Sequence, residues 1–165
     1  MNEPLIDQLA ATPSVLAHLV AESTDGELDA AEPGEWNPRP LLAHFRDTET
    51  LEFRLALERM IAEDVPTLFF IPADEWLARR SHARDRKDQL LTDFALQRQA
   101  TLAILRSLQP TDWERRGRMP GREPFTVKQL VKLWARHDRS HITQLETALG
   151  QTLEEVKQRR ARPEE

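Results

Sequence analysis

The chain contains no cysteine, which excludes a disulfide framework, a thiolate nucleophile and a cysteine-ligated zinc site. It has no apolar run long enough to cross a bilayer, and Met1 to Leu19 lacks the basic start and unbroken apolar centre of a signal peptide. From these absences we expect a cytoplasmic protein with no membrane contact. Positive charge is in deficit as well. A formal net charge of −5 argues against nucleic acid as a partner, since such binders present a basic face. The local exceptions, Arg115-Arg116-Gly117-Arg118 and Lys157 to Arg162, read as solvated loop and tail. Stretches of alternating β-branched residues are also missing, so no strand is expected.

What remains is a chain dominated by Ala, Leu, Glu, Arg and Gln, all good helix formers. At 165 residues it fits one domain with its own core. Four stretches read as amphipathic helices. The first runs roughly from Pro4 to Ser23, with Thr12 capping a main helix that starts at Pro13 after a short lead-in. A loop from Asp25 to Glu35 follows. The second helix opens at Asn37-Pro38, a cap followed by proline in the first turn, and carries Leu41, His44, Phe45, Thr48, Leu51, Leu55 and Met60 before the break at Val65-Pro66. A long apolar connection, Pro66 to about Arg84, folds back over the core or over the mouth of a pocket. The third helix spans about Asp85 to Leu108, with Leu91, Phe94, Leu102 and Leu105 on one stripe. After a polar loop the last helix starts at the capping-box pattern Thr126 to Gln129 and ends at Gly150. The expected fold is therefore all-α: a four-helix bundle over residues 1–150, with a long loop between helices 2 and 3, and a frayed charged tail over 151–165.

The last helix carries the chemistry. In Trp134-Ala-Arg-His137-Asp-Arg-Ser-His141 two imidazoles stand four residues apart, on one face and one turn apart, close enough to share a metal ion. They interrupt an apolar stripe of Leu130, Leu133, Trp134, Leu145 and Ala148, where a polar group needs a partner. A third histidine, His44, lies on the inward stripe of the second helix. Taken alone it is either a ligand or an ordinary core histidine bonded to a carbonyl. His18 and His82 read as surface residues. Three protein ligands would leave coordination positions open, as catalytic sites do.

These residues resemble the DinB/YfiT-like superfamily of metal-binding four-helix bundles. The resemblance runs through Thr12-Pro13, then Trp36-Asn37-Pro38 to His44-Phe45-Arg46-Asp47-Thr48-Glu49, then Thr126 through Gly150 with His-x-x-x-His before Gln144-Leu145. It implies a divalent-metal site of His44, His137 and His141; imidazole ligands suit Zn, Ni, Fe or Cu, and of these Zn or Ni is expected. It also implies thiol S-transferase or hydrolase chemistry on a small molecule, with a low-molecular-weight thiol as one candidate partner, and a homodimer. Two positions depart from the family pattern. Asn37 replaces the usual Ser, which keeps a capping residue. Asp138 stands where many members carry Glu; adjacent to His137, it points about 100° away around the helix and is not read as a base.

On this reading the reactive group is a metal-bound water or thiolate. Two side chains are weaker catalytic candidates. Asp47, one turn past His44, could orient it or be a solvated helix carboxylate. Arg98 interrupts the third stripe and could hold an anionic substrate group or lead its stem out to solvent. Trp36 and Trp76 could line the pocket mouth or simply pack in the core. Rival readings are a zincin, although His-Asp-Arg-Ser-His lacks the Glu base; a non-catalytic metal- or ligand-binding bundle; and a helical adaptor without metal.

Overall fold

The computed structural model describes residues 2–79 and 85–161. Its elements are α1 (Glu3–Leu19), α2 (Asp25–Leu28), α3 (Pro38–Thr48), a π-helical segment Glu49–Arg54, α4 (Leu55–Ala62), α5 (Ala73–Ala78), α6 (Lys87–Ser107), a 3-10 turn Asp112–Glu114, strands β1 (Arg116–Gly117) and β2 (Phe125–Thr126), α7 (Val127–Leu149) and α8 (Leu153–Ala161). The four long members, α1, α3 with α4, α6 and α7, form a four-helix bundle, with α1 and α3 each packed against α6 and α7. Among the described residues no helix is long and apolar enough to cross a membrane.

The core divides into two apolar clusters with a polar layer between them. One holds Leu9, Phe53, Leu57, Leu102, Leu130 and Trp134. The other holds Leu16, Leu41, Phe45, Phe94, Leu145 and Val156. Each long helix contributes polar groups at the level between: Thr12 from α1, His44 and Glu49 from the second helix, Arg98 from α6 and Asp138 from α7, all buried. Apolar packing supplies the bulk of the stability. The polar layer must satisfy itself internally, and it therefore fixes the helices' register.

Pro13 shows how. α1 runs unbroken through it, so Thr12 is not a cap as the sequence suggests. Proline lacks the N–H that would bond the carbonyl of Leu9, four residues back. That carbonyl instead accepts from Arg98 Nη1 at 2.8 Å, across the bundle from α6. A long-range donor thus replaces the missing local one, and the helix survives.

The second helix departs from the expected stripe. Leu51 and Leu55 are 64% and 48% exposed, whereas Phe53 and Leu57 are 3% and 0% exposed. The cause is the π-helical segment at Glu49–Arg54. Its extra residue rotates the following helix by about 100° relative to a regular α-helix. Ahead of it, Leu41, His44, Phe45 and Thr48 keep the expected inward phase. The Asn37 side chain, expected to cap α3, makes no cap bond and donates instead to Asp29 O at 2.8 Å.

Four smaller differences concern the connections and the tail. The expectation of no strands fails at β1 and β2, which pair antiparallel, Arg116 with Thr126 and Gly117 with Phe125. Glycine fits closely there, because a Cβ at Gly117 would sit 2.7 Å from Leu68 Cδ1 and 2.9 Å from Met60 Cγ and force those side chains to shift. Arg115 is not simply solvated, since its guanidinium donates to Met60 O and Glu63 O at 2.7 Å each and so closes the end of α4. The long connection carries α5, and the expected frayed tail is helical over α8. There Thr152 and Glu155 form a reciprocal cap, and Val156 is buried at 4% exposure.

Candidate metal centre

His44 arrives from α3, and His137 and His141 arrive one turn apart from α7. The three offer ring nitrogens that all lie within 4.8 Å of one another. His44 Nε2 and His137 Nε2 are 3.1 Å apart. Two nitrogens on one tetrahedral ion, each about 2.1 Å from it, would stand about 3.4 Å apart, so the donor set fits a shared ion. His44 is buried and the other two are half-buried. His18, bonded through Nδ1 to Ser14 O at 2.6 Å, takes no part. His82 lies outside the described residues.

Electrostatics favour ligation, and so does the tautomer of His141. Burial, reinforced by the neighbouring imidazoles, pushes the His44 pKa down to about 3. Burial likewise holds His141 at about 4. Both rings are therefore neutral near pH 7 and keep a lone pair for a metal. His141 Nδ1 faces Gln144 Oε1 at 2.5 Å. With that oxygen accepting, Nδ1 carries the proton and Nε2 the lone pair. His44 Nδ1 and His137 Nδ1 are buried without hydrogen-bond partners, so Asp47 does not orient His44 as the sequence allows. Its carboxylate accepts instead from Arg46 Nε at 2.8 Å.

Aromatic rings enclose the histidines. Trp76 stands edge-on to His44 with centroids 4.8 Å apart, and Trp36 lies 5.5 Å from His44 and 6.4 Å from His141. The two indoles stack on each other at 5.9 Å. Trp36 and Trp76 are thus placed against the site, consistent with lining its mouth. Phe53 meets the His137 ring at 5.0 Å and stacks on Trp134, and Phe45 approaches His141 at 5.9 Å. Such a wall lowers the local polarity and strengthens electrostatic interactions inside it.

Behind His137 lies a charged cluster that the sequence does not announce. Arg98 is 1% exposed, so it neither reaches solvent nor reaches out to a substrate. Its Nε donates to Glu49 Oε2 at 3.0 Å, and its Nη1 donates to Asp138 Oδ2 at 2.7 Å as well as to Leu9 O. Thr12 Oγ1 donates to the same Asp138 Oδ2 at 2.7 Å. Asp138 Oδ1 faces His137 Nδ1 at 3.7 Å. Burial opposes ionisation of Asp138, but Arg98 together with His137 outweighs it and holds the carboxyl below its usual pKa. For Glu49 burial prevails and pushes the pKa up. Glu52 is another buried carboxyl outside the sequence reading. Burial pushes it up to about 7, and its Oε1 accepts from Ile71 N at 3.3 Å in the long connection. Its signal in the sequence is masked by the π-helical phase shift that carries it inward.

The family model of the DinB superfamily matches residues 8–145. A curated relative from Oceanobacillus iheyensis, named "Putative metal-dependent hydrolase OB0782", is 23% identical over 141 residues, which cover 85% of this chain and 81% of that protein. Among solved structures, YfiT from Bacillus subtilis, described as a probable metal-dependent hydrolase with an unusual four-helix bundle topology, matches with a TM-score of 0.80 and 21% sequence identity, over 92% of this chain and 89% of that one. At that identity the likeness speaks for the fold.

Proposed function

This chain belongs to the DinB superfamily, and from that premise we propose that it is a metal-dependent enzyme acting on a small molecule at a centre of His44, His137 and His141. The observation that carries the reading is the convergence of three imidazole nitrogens within 4.8 Å of one another inside an aromatic wall. Two of those rings are held neutral by burial. All-imidazole ligation suits Zn or Ni, and three protein ligands leave room for a water or a substrate atom. A bound ion of this kind supplies Lewis acidity, which makes a water or a thiol nucleophilic near neutral pH. The chain's own part is to present the three nitrogens, to exclude bulk water with Trp36, Trp76 and Phe53, and to keep the rings unprotonated.

Two reaction types share this centre. Hydrolysis is supported by the name of the Oceanobacillus relative. Thiol transfer is supported by the resemblance to the family's S-transferases, with the thiol drawn from a low-molecular-weight cosubstrate because the chain has no cysteine. The same resemblance leads us to propose a homodimer, and a light-scattering mass of one chain would overturn that part. The activity test uses metal-loaded protein with a chromogenic ester in one arm, and low-molecular-weight thiols with a chromogenic electrophile in the other. Metal-dependent turnover in one arm, lost in His141→Ala, is the expected result. Absence of turnover in both arms, with metal bound stoichiometrically, overturns the enzyme reading in favour of a non-catalytic metal-binding bundle.

A further inference from the structure

We propose that Asp138, held in place by Thr12 and Arg98, is the positioning residue that sets the tautomer and orientation of His137, so that its Nε2 is bare and aimed at His44 and His141. This inference rests on the three-histidine reading above.

The two oxygens of Asp138 have divided roles. Oδ2 receives two donors, Thr12 Oγ1 and Arg98 Nη1, each at 2.7 Å. Those bonds come from α1 and α6, so the carboxylate is fixed from two other helices of the bundle. Oδ1 is left facing His137 Nδ1 at 3.7 Å. That distance is too long for a hydrogen bond, so its influence on the ring is that of a fixed negative charge. The charge favours the tautomer with the proton on Nδ1, because the N–H dipole then points at the carboxylate. His137 Nδ1 is buried and has no hydrogen-bond partner, so nothing else on that side of the ring competes.

The opposite edge of the ring shows the consequence. His137 Nε2 lies 3.1 Å from His44 Nε2, and one of the two must donate while the other accepts. With the His137 proton on Nδ1, its Nε2 accepts and His44 Nε2 donates. His137 and His141 then already present Nε2 lone pairs, and only His44 has to move its proton from Nε2 to Nδ1 to become the third ligand. Carboxylates that accept a hydrogen bond from a ligating histidine strengthen metal binding by about 10- to 100-fold; acting through charge alone at 3.7 Å, Asp138 is expected at the low end of that range. The unusual part here is the anchorage. Arg98 also bonds the Leu9 carbonyl that Pro13 leaves without its helical donor. The break in α1's hydrogen-bond ladder therefore helps fix the guanidinium that fixes Asp138.

The test has two readouts. Long-range proton–nitrogen NMR of the metal-free protein reports the His137 tautomer without reference to metal. Competition with a chromophoric chelator reports the affinity for Ni2+. The variants are Asp138→Asn, Thr12→Val and, as the conservative control, Thr12→Ser, each checked for a folded spectrum. In the wild type His137 should carry its proton on Nδ1. In Asp138→Asn the proton should redistribute to Nε2, with Ni2+ affinity falling about tenfold, the low end of the range for such partners. Thr12→Val should weaken binding in the same direction by a smaller factor, and Thr12→Ser should restore it. Thr12→Val and Thr12→Ser decide the matter if Asp138→Asn fails to fold. An Nε2–H His137 in the wild type overturns the proposal, as does unchanged tautomer and affinity in the folded variants. If the wild type takes up no Ni2+, the metal-centre reading falls, and the tautomer arm still decides the role of Asp138.

Discussion

The cross-bundle bond from Arg98 to Leu9 makes a quantitative claim about Pro13. Proline inside a helix ordinarily costs about 3 kcal/mol relative to alanine, part of it because the carbonyl four residues back loses its donor. Here that carbonyl has a donor at 2.8 Å. Pro13→Ala in the wild type should therefore recover clearly less than the usual figure. Arg98→Met removes the guanidinium from between Glu49 and Asp138, at about 3–5 kcal/mol for a broken buried ion pair, and leaves the Leu9 carbonyl without a partner. In that background Pro13→Ala supplies the missing N–H. It should stabilise by about 1–3 kcal/mol more than it does in the wild type, the free energy of satisfying one buried polar group. The double-mutant cycle cancels the loss of the ion pairs, which both arms share. Urea unfolding reads it: with a slope of about 2 kcal/mol per molar, a coupling of 2 kcal/mol moves the midpoint by about 1 M. Independent sites add within about 0.5 kcal/mol. Additivity at that level would refute the claim that Arg98 stands in for the helical donor that Pro13 removes.

Other predictions follow from the phase shift and from the buried imidazoles. Leu51→Gln, on the exposed side of the π-helical segment, should change stability by no more than about 0.5 kcal/mol, whereas Leu57→Ala should cost about 2–5 kcal/mol. Chemical denaturation checks both, and a large loss at Leu51 would contradict the rotated helix. In the metal-free protein His44 and His141 have folded pKa values of about 3 and about 4, below the ordinary 6.5. Their contribution to stability is therefore fully present above pH 6.5. It declines as pH falls from there towards the folded values, because the unfolded chain takes up protons that the folded one refuses. Each group contributes a slope approaching about 1.4 kcal/mol per pH unit. Glu52, pushed up to about 7, and Glu49, also pushed up, slope the opposite way over the same window, so the readout is the difference between proteins. Between pH 6.5 and 5 the stability of His141→Ala should fall less steeply than that of the wild type by about 1 kcal/mol per pH unit, and identical slopes would contradict the burial.

Much of this was written plainly in the sequence, because helical periodicity is local. The α6 stripe, the α7 stripe apart from Leu133, which is exposed, the capping box at Thr126 and the stop at Gly150 all follow from nearest neighbours along the helix. His137 and His141 could be paired from spacing alone. His44 joined them only through the resemblance, since nothing local distinguishes a ligand from a core histidine. What escaped was non-local. The π-helical turn at Glu49–Arg54 has no residue signature, yet it decides that Phe53 and Leu57 face inward in place of Leu51 and Leu55. Arg98 looked like a residue that would lead out to solvent, because its four acceptor contacts come from α1, α7 and the π-helical segment. Asp138 looked averted from His137 because a helical wheel places side-chain origins, not the oxygens at their tips. Thr152 with Glu155, by contrast, is a local signal for α8 that the charge of the tail obscured.

The centre itself is tested most directly by metal stoichiometry on protein purified without a histidine tag and exposed to Zn2+ or Ni2+, then freed of excess ion. The account predicts one tightly held ion per chain in the wild type. It also predicts loss of that ion when His44, His137 or His141 is replaced by alanine, with His18→Ala unchanged. Substoichiometric metal in the wild type, or one ion per chain retained in His44→Ala and His141→Ala, would contradict it.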